Sequence, residues 1–398
     1  GKRKALVCFV SCKRRAAVKK HAMQVFYALY LSRRPAVAFV IVGLFWGCFA
    51  AYVPQIKARL DVSDATFGLL LLCNALGLVS SMVLAPRLDR LLGARGMQIG
   101  SVALTISFLL LGFATDALSF GLAMVIVGAA SGFTDVLMNA RVSELEQLHC
   151  KPLMNANHGM FSVGYAVAAI LSGVAREAQI APGPAFATLA AAILILSTFL
   201  YMPPQYAASG AGTGDRYPIK PIILCGLIVL VAFMTEATVE TWSALHIERS
   251  LQGRAAEGAM GPAMLGLTMA LGRFSGQAVS QILSETKVII LATMVAAAGG
   301  VLAALAPAPL WAYIGFGILG LGISVIGPLG LALVGQKVPD HLRTEAISRV
   351  AVLGFAGFFL APSLMGILSD FFGLRIAFLA AAGLSLTAIP LTLLLRRA

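Results

Sequence analysis

Between Pro35 and Leu395 the sequence is filled by twelve apolar stretches separated by short charged loops. A bilayer's hydrocarbon core takes about 20 helical residues to cross. In that medium only helices or closed barrels satisfy their own backbone hydrogen bonds. The pattern predicts an all-α membrane protein with twelve transmembrane helices. Charged residues are 12% of the chain and hydrophobic ones 59%, whereas a soluble domain carries about 25% charged residues. So much apolar surface has no aqueous core to enter, and lipid must be its solvent.

The spans are predicted at 35–56, 67–86, 97–115, 117–140, 156–176 and 184–202, then at 219–247, 260–283, 287–306, 310–335, 344–369 and 374–395. A turn-rich, apolar-poor segment from Pro203 to Asp215 separates the sixth from the seventh, as a linker does. The expected organisation is a basic tail (1–34), a six-helix bundle (35–202), a linker (203–218) and a second bundle (219–398).

The net charge of +13 is uneven: residues 1–34 hold ten Lys/Arg and no acid. A basic tail ahead of a first span reads as an anchor facing anionic lipid, not as a nucleic-acid surface. With Met23 so close to the first span, residues 1–22 read as an upstream extension. If the N-terminus is inside, the cytoplasmic segments carry 23 Lys/Arg and the external loops six. The positive-inside rule then places both termini in the cytoplasm. Six scattered cysteines show neither metal spacing nor a disulfide framework. No Gly-x4-Gly-Lys-Ser/Thr loop is present for ATP. No cofactor, metal or enzymatic activity is expected.

Three acids fall inside spans: Asp135, Glu236 and Glu240. A charge at the centre of a span costs at least about 2.5 kcal/mol, so such residues face the bundle interior or a water-filled path. Asp135 and Asn139 share a helix face, and His158 starts the antiparallel neighbour, so these could meet along with Arg141. Asp135 would exchange a proton while Asn139, Asn157 and His158 bond a polar solute; a polar cluster that merely staples the helices is the alternative. Glu236 and Arg273 sit at similar depth, about 15–18 Å at 1.5 Å per residue, and a buried Arg needs a partner. Their pair is either exchangeable or permanent, with Glu240 one turn away as a competitor. Trp46 and Asn74 are candidate cavity residues, since indole beside a polar group suits a sugar-like face. Gly327-Pro328 predicts a kink in the tenth helix.

Two six-helix halves, both ends inside and a cytoplasmic linker resemble the major facilitator superfamily. The loop Ala85-Pro-Arg87-Leu-Asp89-Arg90 and the stretch Gly366-Ile-Leu-Ser-Asp370-Phe-Phe-Gly373-Leu-Arg375 are similar to its repeated signature. Asp135-x3-Asn139, then Asn155-x-Asn157-His158-x2-Phe161-x2-Gly164, resembles the fucose-permease-like branch. Glu236-x5-Trp242, Gly272-Arg273-Phe274 and Gly327-Pro328 are similar to uncharacterised bacterial inner-membrane members near it. Helix 1 lacks the acid that this branch implies. The resemblance implies a secondary transporter of the bacterial cytoplasmic membrane, moving a small polar, sugar-like solute by proton-coupled alternating access. It also implies gating ion pairs among Asp89, Arg90, Arg141, Glu236 and Arg273. Two alternatives are efflux by proton antiport, and a receptor or scaffold that kept the fold without transport.

Overall fold

The computed structural model describes residues 24–204, 219–279, 284–338 and 343–397. The first half comprises α1 (Arg33–Leu60), α2 (Asp64–Leu92), α3 (Gly96–Phe113), α4 (Ala117–His149), α5 (Met154–Glu177) and α6 (Pro182–Ser197). The second comprises α7 (Ile219–Leu245, extended by a π turn, His246–Ser250), α8 (Ala255–Val279), α9 (Glu285–Ala304) and α10 (Pro309–Lys337). Its last two helices are α11 (343–372) and α12 (374–385, resumed as Ala388–Arg397). Gly373 divides them at φ 78°, a left-handed conformation that glycine adopts at no steric cost.

Ten helical stretches among the described residues are long and apolar enough to cross a bilayer. One of these, 51 residues long, contains both α11 and α12. Helix α8, between α5 and α10, completes twelve crossings. Leu69, Leu76 and Val83, spaced by seven on α2, are 53%, 66% and 67% exposed. An apolar stripe of that kind on a helix surface is a lipid-facing one. Of the predicted tail, 1–23 lies outside the described residues, as does 205–218 of the predicted linker. Among the described residues, helix is already present at residue 24, ahead of the predicted span start at 35, and is interrupted there only by a turn at Ser32.

Capping chemistry sets the ends. Ser63 takes the Thr66 N–H at 3.1 Å to start α2, and Asp116 forms a capping box with Ser119 to start α4. Residues Asp61 and Cys150 adopt left-handed φ of 50° at the ends of α1 and α4. Helix α1 lies along α5 so closely that a Cβ on Gly47 would overlap the Tyr165 carbonyl.

One face of the bundle carries the start of α1 and the end of α12, and is called the terminal face. There the Met202 N–H bonds Ala94 O at 3.0 Å and Lys337 Nζ donates to Leu395 O at 3.1 Å. On the opposite face, Arg59 Nη1 donates to Gly112 O at 3.0 Å. The halves meet chiefly through α2 against α11 and α5 against α8.

Candidate functional site

Between the halves lies a cavity of about 640 Å³, lined by α1, α2, α4 and α5 on one side and by α7, α8, α10 and α11 on the other. It extends from Glu240 and Thr241 to Glu146 and Asn155, at the terminal-face ends of α4 and α5. Asp135, Glu236, Glu240, His158, Arg273, Trp46 and Asn74 all line it. The three intramembrane acids therefore share one space with Arg273, His158, Trp46 and Asn74, whereas Asn139, Arg141 and Asn157 do not line it.

Asp135 and Asn139 are one turn apart on α4. The Asn139 amide donates to the Asp135 carbonyl at 2.9 Å and to its carboxylate at 3.1 Å. His158 faces the same cavity, but its ring stands edge-on to Phe39 at 4.8 Å instead of bonding Asp135. Arg141 does not join them. It lies six residues after Asp135, which turns it to a different face of α4, where it is 1% exposed and pairs with Asp89 and with Glu144 at 2.8 Å. Arg90 is exposed and forms no ion pair among the described residues, so of the two expected partners on that loop only Asp89 pairs with Arg141.

Arg273 meets Glu236 at 3.1 Å, as their depths predict. Its other amino group donates to Ser162 Oγ at 2.6 Å and to His158 O at 3.4 Å, both on α5. This cation thus connects the halves, which sequence depth alone does not reveal. Glu240 turns into the cavity with no hydrogen bond to a described residue. Trp46 Nε1 donates to Ser131 Oγ at 3.3 Å, which fixes the indole at the cavity wall.

Asn157 is a correction. It is fully buried and bonds Ser32 Oγ at 2.8 Å and Leu153 O at 2.8 Å, away from the cavity. Asn155 lines the cavity instead. Positions 155, 158, 162 and 165 are spaced three, four and three apart, one stripe of an α-helix. That spacing would have found Asn155, Ser162 and Tyr165.

The opposite face is closed by contacts between the halves, most of them made by charges at helix ends that the sequence does not single out. Arg176 of α5 clamps Glu248 with two bonds of 2.6 and 2.9 Å, and also donates to Ala51 O at 2.7 Å. Asp64 of α2 accepts from Arg249 at 3.0 Å and from Ser369, and it also pairs with Lys57 at 2.9 Å. Asp370 of α11 accepts the N–H groups of Asp64 and Ala65, each at 2.9 Å. Arg254 pairs with Glu177 at 3.5 Å. Behind them Trp242 is fully buried, edge-on to Phe67 at 6.1 Å.

Residues 223–398 match the family model of the Major Facilitator Superfamily. An uncharacterised MFS-type transporter of Yersinia pestis is 29% identical over 88% of this chain and 92% of its own length. Membrane protein MosC of Rhizobium meliloti is 30% identical over 86% of this chain and 85% of its own. The fold is similar to a bacterial homologue of the human lysosomal transporter Spinster, solved inward-facing and unoccupied. That likeness has a TM-score of 0.75 at 14% identity and covers 93% and 97% of the two chains. The chain belongs to the major facilitator superfamily, a family of transporters and not of enzymes.

Proposed function

We propose that the chain is a proton-coupled secondary transporter that carries a small polar solute through this cavity by alternating access. One observation carries the reading: the three intramembrane acids line a single cavity between the halves, and that cavity is closed at one end by ion pairs joining the halves. Charges are retained in a bilayer only where they face a protein interior or water, and such positions mark transport pathways. A site at the interface of two helical repeats suits rocking of one half against the other.

The basic-residue bias supports assigning the terminal face to the cytoplasm of a bacterial inner membrane. The cavity then belongs to the inward-facing state. In this reading Asp135 takes up and releases the proton, with Asn139 holding its carboxylate in either state. Glu236 and Arg273 form the exchangeable pair, broken and remade as the halves move, and Glu240 competes for the same cation. Trp46, Asn74 and His158 present the polar and aromatic surface to the solute.

Purified protein in liposomes with an imposed pH gradient tests this. A screen of sugars, sugar acids and common drugs, amines among them, is expected to reveal solute-dependent proton movement. Asp135→Asn is expected to abolish solute-dependent proton movement; unchanged proton movement would remove Asp135 from the role.

A further inference from the structure

We infer that the solute taken up by this cavity is an organic cation, an amine or ammonium compound with an apolar or aromatic face. The inference deepens the transport reading and rests on it for calling the occupant a transported solute.

It begins with the balance of charge. Four carboxylates line the cavity, Asp135, Glu146, Glu236 and Glu240, and Arg273 is the single Arg or Lys among the described lining residues. Arg273 is already committed to Glu236, Ser162 and the His158 carbonyl. Glu146 is committed to the backbone N–H groups of Leu153 and Met154, at 2.6 and 2.8 Å. That leaves Asp135 and Glu240 without an ion pair among the described residues; Arg273 lies within electrostatic reach of Glu240 but is engaged elsewhere. A buried carboxylate without a partner is unfavourable and is relieved either by a proton or by a positively charged ligand, so a cation competes with the proton for this cavity.

The uncommitted polar atoms point the same way. Asn74 Oδ1 is buried without a hydrogen-bond partner, and it is an acceptor. Tyr165 is 2% exposed and lines the cavity, and its buried hydroxyl has no partner either. That ring lies within electrostatic reach of Glu240 and Glu236. Two carboxylates and an amide oxygen supply acceptors here, and the Tyr165 hydroxyl can act either way. An ammonium group supplies up to three N–H donors and accepts nothing. A neutral polyol brings an acceptor with every donor, and an anion would add a third uncompensated charge.

Aromatic rings supply the rest of the fit. Trp46, Phe161 and Tyr165 come from one half, and Phe233, Phe355 and Phe358 from the other. The face of such a ring attracts a cation, and indole does so best. A cavity of about 640 Å³ accommodates a compact ligand that touches both walls.

The test uses the full-length protein and three probes that share a ring and differ in charge: benzylamine, benzyl alcohol and benzoate. Binding is measured at neutral pH by calorimetry and by thermal shift. Benzylamine is expected to bind at least about tenfold more tightly than either of the others. Glu240→Gln and Asp135→Asn are each expected to weaken benzylamine about tenfold and leave benzyl alcohol unchanged. The double variant is expected to lose the preference. The comparison of probes needs no variant, so it stands even if a substitution harms folding. Equal or tighter binding of benzoate or benzyl alcohol overturns the inference, as does absence of benzylamine binding, or a preference that survives in the double variant. Loss of the transport reading looks different: amine preference would persist while no solute-dependent proton movement occurs in liposomes.

Discussion

Arg273 donates to Ser162 Oγ at 2.6 Å, so the cation that neutralises Glu236 on α7 also ties α8 to α5 in the other half. Charge-assisted hydrogen bonds contribute about 1.5–3 kcal/mol. Ser162→Ala keeps the ion pair and removes this link. With spin labels at the exposed positions 151 and 287, the variant is expected to shift or broaden the distance distribution between the halves. An unchanged distribution would show that the contact does not restrain them.

Glu236→Gln, in contrast, leaves Arg273 without its counter-charge. Removing one member of a buried pair costs about 3–5 kcal/mol. The expected result is a marked fall in thermal stability, larger than for Ser162→Ala. Exchanging the charges, Glu236→Arg with Arg273→Glu, is expected to restore folding, while transport stays impaired if the pair must also engage α5. Full recovery of transport would make it a purely structural bridge.

The closed face depends on Arg176 and Glu248. Truncating one partner of a hydrogen-bonded charge pair costs about 2–5 kcal/mol, and each 1.4 kcal/mol is tenfold in population. Glu248→Gln is therefore expected to raise the population open on that face at least about tenfold. A reporter at Thr241→Cys, in a background lacking the native cysteines, measures this through its labelling rate with an impermeant thiol reagent.

Close approach of α1 to α5 leaves no room for a side chain at Gly47. Gly47→Val is expected to lower stability by at least about 1–3 kcal/mol, the usual cost of overpacking, and to reduce folded yield. Gly383→Ala is the control, since a Cβ at that position would meet nothing within 4 Å. That change is expected to be neutral or to stabilise α12 by up to about 1 kcal/mol. Thermal unfolding in detergent separates the two.

Asp116 is held below the usual carboxylate range by the N–H groups of Ser119 and Leu118 and by the Ser119 hydroxyl. A depressed folded-state pKa means the stabilisation is present above the unfolded value, about 3.9, and is lost as pH falls through the folded one. Asp116→Ala is expected to lower the melting temperature at pH 7. The difference from the unmutated protein should shrink on acidification below pH 4 and not on alkalinisation.

Hydropathy made the crossings legible because each span must satisfy its own backbone and present apolar side chains to lipid. The acids inside spans were legible for the same reason: Asp135, Glu236 and Glu240 stand out against hydrocarbon. Their depth even foretold the Glu236–Arg273 pair. Azimuth was harder to read. Arg141 sits near Asp135 in sequence yet faces Asp89, and Asn157 sits beside His158 yet faces Ser32. Most of the closing contacts were hidden because Asp64, Arg176 and Glu248 lie at helix ends, where a charge needs no special explanation. Only the packing of α2 on α11 and α5 on α8 makes them neighbours.

Asp370 holds the first two amides of α2 from across the interface. When the halves separate on that face, both protons lose their acceptor and must find water in its place. Deuterium uptake at residues 64 and 65 should therefore keep time with the conformational cycle, giving the protein an internal clock that can be read without any attached probe.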